Sequence, residues 1–254
     1  MNFLFYAMII LLVVMTINNA RRMKSFGNER GFIDVYGKIL DGQDGAREEL
    51  ENYLNTNQIE YLNCKAMLVK IYDDLKNDID YKEDVEKLNI APLFTSNGQF
   101  SKDMFNKNCD AFIWLSMIYA IAFKKDKKDV VEEIDRKVKE LSEKFASFLE
   151  YHLYLGYMAS FEKKKNDDYS FLQNLIDGEY NNLIYEKKLI GLYKREAAVF
   201  LFKNNDLKDE FWLQDLKHFK ETKIGSHLIE DLGLSEKVDQ IRGPEAIAAD
   251  EEDK

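Results

Sequence analysis

The chain has 254 residues, 46% of them hydrophobic and 32% charged, with 46 acidic against 36 basic side chains and a formal net charge of −10. That composition supports a packed core and excludes a fibrous or wholly disordered chain, while the acidic balance repels phosphate backbones, so no nucleic-acid partner is expected. Two prolines and twelve glycines are too few for the closely spaced turns of an all-β domain, and the expected fold class is all-α.

Residues 3 to 17, FLFYAMIILLVVMTI, carry no charge. As a helix they span about 22 Å against a hydrocarbon core of roughly 30 Å, and Asn2 and residues 18–20 extend them into a transmembrane anchor over 1–20. No basic residue precedes Phe3, and the one candidate cut, after Ala20, puts Asn18 where a signal peptidase wants a small side chain. The segment therefore reads as an uncleaved single-pass anchor; were it cleaved, the body would be an extracytoplasmic binding protein. Arg21, Arg22, Lys24 and Arg30 form a basic juxtamembrane segment over 21–30. All four follow the span, so the positive-inside rule puts the body in the cytoplasm, held at the cell membrane with these residues against the headgroups.

From residue 29 onward apolar residues recur at helical spacing. Ile59, Leu62, Ala66 and Val69 share one face, with Leu68, Tyr72 and Leu75 alongside. Phe105, Phe112, Leu115, Tyr119 and Ala122 form a second stripe, and Val131, Ile134, Val138, Leu141, Phe145, Phe148, His152, Leu155 and Ala159 a third. The third also carries Tyr151, Tyr154 and Tyr157 off its line, which predicts a helix break near Ala146 and a second half buried on more than one side.

Polar turns led by Asp or Asn separate the stripes, and these residues favour helix N-caps. Asp44, Asp78, Asp129, Asp167 and Asp206 follow one another at steps of 34, 51, 38 and 39, a range that fits about five stacked helical hairpins. Capping boxes are expected at Asp80 to Glu83 and at Asp129 to Glu132. The long step contains Ala91, Pro92 and Ser96-Asn97-Gly98, read as a surface excursion. Asp44-Gly45-Ala46 with Leu50 and Leu54, and the pair Leu155-Gly156, resemble the second- and first-helix patterns of the tetratricopeptide-like helical-repeat superfamily. His152 and Ala159 stand where that family's motif has aromatic residues. The resemblance implies a right-handed α-solenoid over 29–241 whose surface holds a peptide or protein partner.

Residues 223 to 241 are predicted to cap the array in one or two helices with Gly233 as a stop. From 242 to 254 an acidic tail, in which Glu245, Asp250, Glu251, Glu252 and Asp253 outweigh Lys254, has the composition of disorder.

Cys64 and Cys109 show no metal or disulfide spacing. His152 falls on a core stripe, and His218 and His227 read as surface or capping residues. No nucleophile elbow, zinc motif or phosphate loop is present, so no catalytic, cofactor or metal-binding residue is nominated and the chain is not expected to be an enzyme. The runner-up is a helical metal-dependent enzyme acting on phosphate or diphosphate substrates, which would need Asp73, Asp74 and Asp78 to converge with other carboxylates. The 14 tyrosines and 17 phenylalanines suit a shared core, and Tyr151, Tyr154 and Tyr157 are the candidates for partner contact in a groove. The sequence thus points to a membrane-anchored scaffold or adaptor whose partners are a protein or peptide and the lipid surface.

Overall fold

The computed structural model describes residues 27–108, 110–141, 144, 149–162, 165–180 and 187–241. The predicted anchor at 1–20, Arg21, Arg22 and Lys24, the break expected near Ala146 and the acidic tail at 242–254 lie outside the described residues. Among the described residues no helix is long and apolar enough to cross a membrane. The chain is predominantly helical, as its composition predicts, and it divides into two compact units, one ending at Lys70 and one beginning at Ile71.

In the first unit, α1 (residues 27–40) and α2 (Ala46–Thr56) form a hairpin, followed by the start of α3 (Glu60–Lys76). Phe32, Val35 and Ile39 recur every three or four residues in α1 and, with the adjacent Leu40, are buried along with Ala46 and Leu50 of α2. Tyr53 donates from its hydroxyl to the Asn28 carbonyl at 3.0 Å, and Lys38 pairs with Glu49 at 2.6 Å. Before α3, the Asn57 side chain accepts from Ile59 N–H and donates to Asn63. Cys64 is a buried free thiol, pushed up to about 12 by desolvation, as expected of an inert small apolar side chain. Arg30 sits exposed on α1.

The second unit continues from the last turn of α3 through α4 (Lys82–Lys87), a 3-10 turn (Ala91–Leu93), a hairpin of β1 (Thr95–Ser96) and β2 (Gln99–Phe100), and α5 (Lys102–Asn108). Asn97 and Gly98 both have positive φ, the two-residue turn for which an Asn-Gly pair is preferred. The expected surface excursion is in fact anchored in the core. Leu93 and Phe94 are fully buried, and the Phe94 ring lies 5.4 Å from Phe105 and 5.7 Å from Phe112.

Next come α6 (Ala111–Lys124), α7 (Lys128–Lys139), α8 (Leu149–Glu162), α9 (Asp167–Asp177), α10 (Lys187–Lys203), α11 (Glu210–Lys220), α12 (Lys223–Asp231) and α13 (Ser235–Asp239). Every residue of α6 from Ala111 to Ala122 is buried. Burial of each large apolar side chain contributes roughly 1.5–3 kcal/mol, which makes α6 the energetic centre of this unit. It packs on α7, α8 and α12. From there α8 meets α9 and α10, α9 meets α10, α10 meets α11, and α11 meets α12. The return of α12 to α6 departs from a solenoid in which each repeat touches only its neighbours.

The Asx-led turns act differently from expectation. Helices end with a left-handed residue at Gly42, Asp78, Asp126, Gly178, Asn205 and the predicted stop Gly233. In each case the amide one residue further on bonds back to the carbonyl five residues earlier, as from Gln43 to Lys38, Lys127 to Ala122 and Leu234 to Ile229. These are Schellman stops, which satisfy carbonyls that the helix end leaves open. Asp and Asn tolerate this conformation because their short side chains bond locally. The expected capping boxes do not form: Lys127 occupies the cap position of α7 and Tyr81 that of α4, neither with a side-chain cap bond. Among these turns the side chain of Asn166 does cap, accepting from Tyr169 N–H, and Asp209 and Thr222 cap α11 and α12.

Candidate functional site

A buried tyrosine brings a polar hydroxyl into an apolar interior and needs an acceptor there. This chain supplies carboxylates repeatedly. In the first unit Tyr61 donates to Glu29 at 2.5 Å. In the second, Tyr72 reaches Asp231 at 2.8 Å, Tyr157 reaches Glu196 at 2.6 Å and Tyr169 reaches Asp206 at 2.6 Å, with longer bonds from Tyr154 to Asp135 and from Tyr193 to Glu150.

The three tyrosines nominated for partner contact lie on α8, and the structure places them in the interior. Tyr154 and Tyr157 are 1% exposed and Tyr151 is 9% exposed. Tyr151 stacks on Tyr154, whose hydroxyl also meets that of Tyr119 at 2.6 Å. Tyr157 stacks on Phe200 with ring centroids 4.1 Å apart. In this arrangement their side chains pack the core rather than line a groove. They leave the main apolar line of α8 because the helix is covered from several sides, by α6, α9 and α10.

Gly156, beside Tyr157, permits a close approach. A Cβ there would stand 2.7 Å from the Asp168 carbonyl oxygen and 2.8 Å from Leu172 Cδ2 of α9.

Two polar groupings of the second unit carry unusual electrostatics. At the end of α3, Lys76 lies 3.1 Å from His227 Nδ1, 3.5 Å from the Tyr72 hydroxyl and 4.0 Å from Asp231. Burial raises the Asp231 carboxyl above its ordinary value, with Tyr72, Lys76 and His227 pulling the other way. Burial foremost, and then Asp231, also raises the Tyr72 hydroxyl. His227 is therefore more than a surface or capping residue. No local spacing could reveal it, since its partner is 151 positions away.

The second grouping is Glu196 on α10. It is 1% exposed, and Tyr157 is its donor on Oε2; Oε1 has no hydrogen-bond partner among the described residues. Desolvation pushes this carboxyl up to about 7.

Other nominated residues do not assemble. Asp78 ends a helix and pairs with Lys125 at 2.8 Å, while Asp74, inside α3, is fully buried. Among the described residues no three of His, Cys, Asp and Glu are placed to hold a metal ion. His152 packs its ring 5.5 Å from Phe171, and His218 lies exposed in the last turn of α11.

Open space of about 520 Å³ lies at the C-terminal side of the second unit, lined by Phe202, Lys208, Leu213, Gln214, Lys237 and Ile241 among others. Lys237 holds its ammonium 4.2 Å from the Phe202 ring and donates to the Phe202 carbonyl. On α11 Phe211 is 67% exposed, edge-on to Trp212. The lining of this groove mixes the apolar Phe202, Leu213 and Ile241 with the polar Lys208, Glu210, Gln214, Lys237 and Gln240.

Comparison of the chain with protein-family models, with curated proteins and with solved structures gives no match.

Proposed function

We propose that this protein is a membrane-anchored scaffold or adaptor, its cytoplasmic body a tetratricopeptide-like array that binds a protein or peptide. The observation that carries the reading is the order of packing from α6 to α11. First helices of successive pairs meet each other (α6 with α8, α8 with α10), and each meets its own second helix (α6 with α7, α8 with α9, α10 with α11). Gly156 adds support, because it lies in the Leu155-Gly156 first-helix fragment and lets α8 approach its hairpin partner α9.

The anchor is read from the uncharged run at 3–17 and the basic residues Arg21, Arg22, Lys24 and Arg30 behind it. Tethering raises the local concentration of a bound partner, so that even a shallow groove suffices. The exposed Phe211 and the groove beside Leu213 are the surface that favours contact, since aromatic anchors dominate interface energetics.

Photo-crosslinking tests the reading in whole membranes, with the reactive group placed at Phe211 and at Gln214 of the full chain. The expected result is one discrete protein adduct shared by both positions, in a fraction that alkaline carbonate does not extract. A carbonate-soluble full chain removes the anchor from the reading. Absence of any shared adduct removes the scaffold.

A further inference from the structure

We propose that Glu196 is a proton-operated latch: it keeps the seam between α8 and α10 shut while its carboxyl is neutral and loosens that seam when the carboxyl ionises.

The geometry makes the charged form hard to house. Glu196 is enclosed on α10, with Tyr157 of α8 at 2.6 Å on one oxygen and no partner among the described residues on the other. A neutral carboxyl leaves at most one neutral polar group unsatisfied, whereas a carboxylate puts a full charge in an apolar interior against a single donor. The same seam holds the Tyr157–Phe200 ring stack and the T-shaped contact of Phe161 with Phe200. Parting of this seam would admit water to the buried Glu196 Oε1.

Among the described residues, the hydrogen-bond partner of Glu196 is Tyr157. The cations of α10 whose side chains are described are turned to other acceptors: Lys194 to the Ile176 carbonyl of α9, Arg195 to Asp215 of α11, and Lys203 to the Ser160 carbonyl of α8. Tyr193 of α10 is directed to Glu150 of α8. Burial accordingly pushes Glu196 up to about 7, so the change of state falls where modest shifts in acidity act on it.

The full chain is compared at about pH 6 and about pH 9 by infrared difference spectroscopy, and by amide exchange of α8 and α10 corrected for the intrinsic effect of pH. The expected result is a protonated-carboxyl stretch at the lower pH that vanishes at the higher one and is missing from Glu196→Gln. Protection of both helices falls at the higher pH in the wild type and holds in Glu196→Gln. Should that variant not fold, Tyr157→Phe serves, because withdrawing the donor from the carboxylate moves loss of the band upward by roughly one pH unit. A band already gone at the lower pH, exchange in Glu196→Gln that follows the wild type, or a titration unmoved by Tyr157→Phe overturns the proposal.

Discussion

Glu196 and Asp231 are both interior carboxyls that take a tyrosine hydroxyl, at 2.6 Å and 2.8 Å, yet they are solved differently. Asp231 lies 4.0 Å from Lys76, with His227 also favouring its charged form, and these partly oppose the effect of burial. For Glu196 the opposing influence is the Tyr157 hydrogen bond, and the carboxyl is pushed up to about 7. Burial raises both carboxyls; a cation opposes it at Asp231 in addition to the tyrosine, whereas the tyrosine hydrogen bond is the opposing influence at Glu196. The two regions differ in purpose as a result. The Asp231 grouping ties α12 to the end of α3 through Tyr72 and the nearby Lys76, while the Glu196 seam relies on apolar packing around a carboxyl raised by burial.

The largest expected effect separates the two by pH. The Glu196 carboxyl has a folded value of about 7 against 4.5 for the ordinary side chain. The folded chain thus keeps a proton that the unfolded chain has released. Stability is greatest below the unfolded value, falls as pH rises through the window between the two, and levels off above the folded value. The full difference corresponds to about 3 kcal/mol. Urea unfolding of the wild type should lose this amount between about pH 4.5 and pH 8, and Glu196→Gln should remove that loss; an unchanged slope would break the contrast.

Next in size is Gly156→Ala. The added methyl would meet the Asp168 carbonyl oxygen at 2.7 Å, a backbone atom that yields only if α9 moves. Overpacking of this kind costs about 2 kcal/mol. Because the substitution disturbs α8 next to Tyr157, it should also ease ionisation of Glu196 and leave Asp231 as it was. Thermal unfolding at low and high pH measures both.

Lys76→Met sharpens the other side. It takes the cation from Asp231, whose carboxyl then rises further, so the loss should be about 1–2 kcal/mol at pH 8 and smaller near pH 5. Equal losses at the two pH values would mean that Lys76 contributes packing on the Tyr72 ring rather than charge.

Helical periodicity made much of the core legible. Leu62, Ala66 and Val69, the stripe from Phe112 to Ala122, and Val131, Ile134 and Val138 are all buried as their spacing predicts. The ends of helices were less so, because Asp and Asn favour both the cap that starts a helix and the left-handed residue that stops one. Asp78, Asp126 and Asn205 stop helices, and their side-chain chemistry alone does not tell the two roles apart. The excursion at 91–100 misleads for a related reason. Its Pro92 and Asn97-Gly98 signal irregular backbone truthfully, but backbone irregularity says nothing about whether Leu93 and Phe94 turn inward. The polar groupings were invisible. Spacing shows that Tyr72 and Tyr157 face the core, but not that each meets an acid 159 or 39 positions on, since that depends on how distant helices are brought together.

Asp206 gives the smallest effect and closes the series from the solvent side. It accepts from Tyr169 at 2.6 Å, as Glu196 does from Tyr157, but it lies near the surface with Lys165 also at 2.6 Å. Those two hydrogen bonds, the Lys165 one first, hold its carboxyl below the ordinary value of 3.8. The sign is therefore opposite to that of Glu196: its contribution is present above the unfolded value and lost as pH falls through the folded one. Asp206→Asn should cost within about 1 kcal/mol near neutrality, as solvent-screened pairs do, and less still in strong salt. Were it to match the pH signature of Glu196→Gln, burial would not be what distinguishes the two carboxyls.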